Sequence, residues 1–151
     1  MQYWLRKSEP LVFSIDDLKK NKKTYWDGVR NFQARNFMRD GMKAGDLVLY
    51  YHSNAEPSGV AGVARICKES YPDFTAWDKK DIHFDPKSTK EKPLWFMVDV
   101  EFVEKFTNFV TLEDLKANVK LKDMLVVRPG RLSVQPVLKE HFEVVRKMGN
   151  S

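Results

Sequence analysis

Four short stretches of this chain mix hydrogen-bonding side chains with aromatic or apolar neighbours. They are Lys7-Ser8-Glu9-Pro10, Trp26-Asp27-Gly28-Val29-Arg30-Asn31, Tyr51-His52-Ser53-Asn54 and Gly130-Arg131-Leu132-Ser133-Val134-Gln135-Pro136. A pocket that holds a flat heterocycle needs this mixture. An aromatic face stacks on the ring, while amides, hydroxyls and a carboxylate read its edge. Each stretch also has an ordinary structural reading. Trp26 fits a core, Glu9 and Asp27 fit surface caps, and His52 fits the end of a strand. Spacing alone does not bring the four together in space.

Other chemistries find less support. The histidines are His52, His83 and His141, and the one cysteine is Cys67. None stand at zinc-ligand spacing, and a thiolate pair is impossible, so no metal site is expected. Ser8, Ser53 and Ser133 sit in turn-like contexts without a nucleophile-elbow motif. His52 adjoins Ser53, but neighbours on a strand point to opposite faces. Cys67 lies in an apolar run and reads as a small core residue. The seven glycines form no phosphate-binding loop. The expectation is a binding protein without catalysis and without a cofactor. An enzyme using Glu9 or His52 as acid or base is the rival, and it lacks an activated nucleophile.

The elements that must position these residues fit one domain over residues 1–151, with 42% apolar content supporting a core. The net charge of +5 is compatible with a polyanionic partner. No run approaches a membrane span, so a cytoplasmic protein is expected, or a nuclear one in a eukaryote. Lys19-Lys20-Asn21-Lys22-Lys23 reads as a solvated helix end. Residues 2–6 read as a strand and Ser14 as a helix cap with Asp17 completing a capping box. Residues 26–31 read as a loop. Residues 31–40 read as a helix with Phe32, Ala34, Phe37 and Met38 on one stripe. Asp46–His52 and Gly59–Lys68 read as antiparallel strands, the second central because it is apolar on both faces. Residues 70–93 hold three prolines and many charges, a long connection of the kind that is often functional. Trp95–Val103 reads as a strand, Thr111 as a second capped helix start, and 137–148 as a final helix with Val137, Phe142 and Val145 inward. This order gives an α+β domain, a curved sheet or small barrel with helices outside.

These stretches carry a resemblance. Tyr3-Trp4-Leu5 with Lys7-Ser8-Glu9-Pro10, Trp26-Asp27-Gly28-Val29-Arg30-Asn31 with Gln33-Ala34-Arg35-Asn36, Gly45-Asp46 through Tyr51-His52-Ser53, and Arg131-Leu132-Ser133-Val134-Gln135-Pro136-Val137 together resemble the EVE-domain family. The match runs in order along almost the whole chain. Leu138 departs from it, where a Thr or Ser cap is expected. The resemblance implies a PUA-like fold, a bent β-barrel or sheet with peripheral helices, related to the YTH and SRA readers of modified bases. It implies a base pocket from Lys7, Ser8, Glu9, Trp26 and Asn31, with His52, Ser53, Arg131, Leu132 and Ser133. Trp26 would stack the base, and Trp77, Trp95 or Leu132 would offer a second wall. Arg30, Arg35, Arg39 and Lys43 would lie near phosphates, with basic residues of 79–92. The expected partner is DNA or RNA carrying a modified base, a modified cytosine in DNA being one form. An RNA-binding module, an enzyme on a small molecule and a protein-interaction module stand as alternatives.

Overall fold

The computed structural model describes residues 1–128, 130 and 132–151. It holds one mixed six-stranded sheet with short helices against it. Strand β1 (Tyr3–Ser8) is followed by helix α1 (Ile15–Asn21) and strand β2 (Lys23–Trp26). Helix α2 (Phe32–Asn36) runs into a wider turn, Phe37–Gly41. Strands β3 (Leu47–His52) and β4 (Gly59–Pro72) form a hairpin. A single helical turn at Phe74–Trp77 precedes the long strand β5 (Phe96–Thr111). Helix α3 (Leu112–Ala117), strand β6 (Val134–Val137) and helix α4 (Lys139–Gly149) complete the order.

The sheet order is β2-β5-β4-β3-β1-β6. β1 runs parallel to β3 and antiparallel to β6, and the remaining pairs are antiparallel. Of the two expected forms, the structure gives the open sheet: β2 and β6 are its edges and do not meet. β4 and β5 are long, and their pairing shifts register at four places. Each shift adds local twist, which bends the sheet around its core. One apolar cluster, around Trp4, Leu18, Met38 and Ile66, fills one face. A second, around Leu5, Leu49, Phe106 and Phe142, fills the other under α3 and α4.

Both capping boxes are present, Ser14 with Asp17 and Thr111 with Asp114. β4 lies centrally, and Gly59 through Ala64 are buried on both faces. Lys19 and Lys20 occupy the last turn of α1. Several readings need correction. Trp26 ends a strand instead of sitting in a loop, because β2 pairs with β5. The helix over 31–40 is two short pieces, and Phe32 leaves the common stripe to lie 55% exposed, stacked on Trp95. The strand from residue 95 continues to Thr111, since the register shifts let it bend around the core. Cys67 is half-exposed, because the pairing skips it between Ile66 and Lys68. Val137 belongs to β6, and α4 starts only at Lys139. Its cap residue Leu138 makes no side-chain cap hydrogen bond.

Candidate functional site

Main-chain bonds draw the C-terminal end of β1 together with two distant stretches. Lys7 N–H donates to the Ser133 carbonyl at 2.9 Å, and Ser53 N–H donates to the Ser8 carbonyl at 3.0 Å. After Ser8 the chain turns back, with Val12 N–H and Phe13 N–H both donating to the Glu9 carbonyl. Ser8 Oγ and the Tyr50 hydroxyl then fix that turn by donating to the Phe13 carbonyl, at 2.9 and 2.8 Å. Trp26 and Asp27 arrive from the other side, at the end of β2.

The result is a cleft of about 790 Å³, lined in part by Lys7, Ser8, Glu9, Trp26, Ser53 and Ser133. That volume lies in the range of small-molecule pockets. Six of the expected pocket residues therefore share one wall system. Three do not line it. Asn31 instead caps α2, accepting from Ala34 N–H at 2.9 Å. His52 Nε2 accepts from Ile15 N–H at 3.1 Å and so holds the start of α1. Leu132 packs partly against the core. Arg131 lies outside the described residues. Trp77 and Trp95 are not in the cleft walls either, and Trp95 is committed to Asp85 through its indole N–H at 2.7 Å.

Residues that the sequence reading did not name as pocket walls line the cleft as well: Arg6, Val12, Asp27, Gly28, Ile82 and His83. His83 and Ile82 come from the long proline-rich connection. Asp73, fully buried, ties that connection to the Trp26–Asn31 segment. It accepts from Gly28 N–H and Arg30 Nη1, both at 2.9 Å, and from the Thr75 hydroxyl and N–H. Arg30 reaches on to the His83 carbonyl at 2.7 Å. Gly28 has φ +80°, and a Cβ there would stand 2.6 Å from His83 Nε2. Both the backbone conformation and the imidazole above it require glycine.

Burial works against charge in this cleft. It pushes the Asp27 carboxyl up from its ordinary value, Asp73 adds to the rise, and His83 and Arg6 oppose it. It pushes Lys7 down. Burial also works to raise Asp73, but hydrogen bonds from Thr75, Gly28 and Arg30 outweigh it and hold this carboxyl below the ordinary value. Trp26 itself is only 3% exposed, and the Arg6 guanidinium covers its ring at 4.9 Å from the centroid. The aromatic wall is thus an edge of the core.

Of the four expected phosphate contacts, none lines the cleft. Arg30 is engaged with Asp73 and His83. Arg35 donates to Asn36 and to the Leu94 carbonyl. Arg39 pairs with its neighbour Asp40 at 2.9 Å on an exposed surface. Lys43 is exposed at the turn before β3. Among the described residues no group of three or more His, Cys, Asp or Glu is placed to hold a metal ion, and no helix is long and apolar enough to cross a membrane.

Comparison with known proteins gives a consistent answer. The EVE domain profile matches residues 2–148. Thymocyte nuclear protein 1 of Danio rerio is 46% identical over 166 residues, covering 97% of this chain and 71% of the relative. A hypothetical protein from Leishmania major superposes with a TM-score of 0.95 at 51% identity, covering 99% of this chain and 94% of the other. The human THYN1 protein, solved in complex with DNA containing 5-methylcytosine, superposes with a TM-score of 0.93 at 41% identity over 100% of this chain and 99% of its own. At 15% identity and a TM-score of 0.58, the YTH domain of a Zygosaccharomyces rouxii protein shares the fold. With the profile spanning nearly every residue and relatives this similar along the same span, the chain belongs to the EVE domain family.

Proposed function

We propose that this chain is a non-enzymatic reader of modified nucleic acid, which holds an extruded methylated cytosine of DNA in the cleft between β1 and β2. The observation that carries this reading is the human relative's complex with 5-methylcytosine DNA, a fold that this chain matches from end to end. The cleft supports it chemically. Trp26 gives an aromatic edge, and the Asp27 carboxylate suits the exocyclic amine of cytosine. Lys7 and Ser133 add donors for ring acceptors, while the Ser8 hydroxyl, whose proton goes to the Phe13 carbonyl, keeps only acceptor capacity. Val12 and Ile82, 73% and 92% exposed, flank the mouth on two separate loops. Apolar tips of this kind would sit against the base stack that the extruded nucleotide leaves. The net charge of +5 favours approach to DNA.

The test is binding to short duplexes and single strands, DNA and RNA, with and without one 5-methylcytosine, at two salt concentrations. Tighter binding to the methylated DNA, weakened by salt, is expected. Trp26 is a poor probe because it belongs to the core, and truncation there would cost about 3–5 kcal/mol of stability. Ser133→Trp fills the cleft from a loop and leaves the core alone. It should abolish the methyl preference without changing the melting temperature. A preference that survives Ser133→Trp, or a matching preference for RNA, would overturn the reading.

A further inference from the structure

Arg6 is the only buried lysine or arginine among the described residues, at 8% exposure, and it lines the cleft. Its Nε and Nη1 are shielded from solvent and donate to no acceptor. Two rings hold the side chain: the guanidinium carbon is 4.9 Å from the Trp26 ring centroid and 5.3 Å from that of Tyr50. Such cation–π contacts offset only part of the cost of burying a charge. Burial accordingly pushes Arg6 down from its ordinary pKa, against opposing pulls from Tyr50 and Asp27. Asp27 is no salt-bridge partner. Its carboxylate faces His83, with Oδ2 3.6 Å from Nδ1.

The other charged residues of the cleft stand apart from Arg6. Lys7, the next residue of β1, also lines the cleft, but as a strand neighbour its side chain leaves β1 on the opposite side from Arg6. Glu9 is exposed at the rim, where its carboxylate is held by Asn54 at 2.6 Å. Arg6 therefore brings unpaired donors to the cleft, while the Asp27 carboxylate in the same wall is turned to His83. A guanidinium offers planar paired N–H groups that match a carboxylate, a geometry a methyl group cannot use.

We propose that Arg6 makes this cleft selective for a base whose buried edge carries an oxyanion, a cytosine bearing a carboxylate in place of the methyl. The inference rests on the reading of the cleft as a base pocket and names the ligand class that the unpartnered Arg6 fits. Binding then neutralises a buried charge as well as enclosing a ring, so part of the affinity comes from relieving the unpaired state of the free protein.

The experiment compares three duplexes that differ at one cytosine: unmodified, 5-methyl and 5-carboxyl. Each is titrated with the full chain and with Arg6→Met and Arg6→Lys. The wild-type chain should prefer carboxyl over methyl by about tenfold, the worth of one charge-assisted contact. Arg6→Met should reverse that order and raise the melting temperature, because it removes an unpaired buried charge. Arg6→Lys keeps the charge but loses the planar fork, so its preference should fall between the two. If Arg6→Met does not fold, Arg6→Lys carries the comparison. Equal wild-type binding to the methyl and carboxyl duplexes overturns the inference and leaves the reader itself standing. An equal loss on all three duplexes in Arg6→Met would place a backbone phosphate against Arg6 and also overturn it. Failure of the wild-type chain to bind any duplex overturns both.

Discussion

His52 shows how a residue type can be chosen for a site and used for a scaffold. Its Nε2 accepts the first free N–H of α1, which requires the neutral ring. Burial, the leading cause, holds its pKa below the ordinary value of 6.5. For a histidine lowered on folding, the unfolded chain binds more protons, so stability falls as pH drops below about 6.5. Melting curves across pH 7 to 5 should show that loss, and His52→Asn should flatten it while lowering the plateau. Among the pocket residues, the motif stretches were legible because each pairs ring and donor types in a few positions. Arg6 was not. It sits at an inward position of a strand, between Trp4 and Ser8, where the alternation predicts an apolar side chain. Nothing in the composition separates a buried arginine from a surface one. Asn31 and His52 misled for the reverse reason: a cap and a ligand contact use the same polar groups.

At the scale of elements, the hinge of the site is Asp73, which fastens the connection after β4 to the turn after β2. Replacing it by alanine would leave the Gly28 N–H and the Arg30 guanidinium without their acceptor. A loss of about 3 kcal/mol is expected, typical of breaking a buried charged network. Hydrogen exchange at Gly28 and Thr75 should accelerate more than in the β4–β5 core, because the local fastening goes first. The depressed carboxyl makes this contribution acid-sensitive. It is present above about pH 4 and lost as pH falls through the lower folded value. The sequence displayed the elements with strong local signals: two capping boxes, the central β4 and the hairpin after β3. It hid β2, four residues whose strand state depends on pairing with β5 across the molecule. It likewise hid the parallel match of β1 with β3, a long-range choice that no local pattern encodes.

At the scale of the whole molecule, residues far apart in the chain make one mouth. Val12 and Ile82 stand on its two sides, both largely exposed and contributing little to the core. Ile82→Ser should therefore leave the melting temperature within about 0.5 kcal/mol equivalent of wild type. It should weaken binding to a duplex that must release its base, and spare binding to a single strand of the same sequence. Equal effects on both forms would assign Ile82 to the pocket and not to the stack.

β1 lies between β3 and β6, so the first strand of the chain is flanked by the last. During vectorial synthesis its β3 side can be matched once residue 52 has emerged, whereas its other side waits for residues 134–137. Through that interval Trp4, Leu5 and Arg6 present an open strand edge, a template for pairing with a foreign chain. The same late segment supplies Ser133, so the nascent protein completes its edge protection and its pocket in one event. A ribosome-bound chain halted before residue 133 would thus lack both a wall of the cleft and the partner that covers this edge of β1.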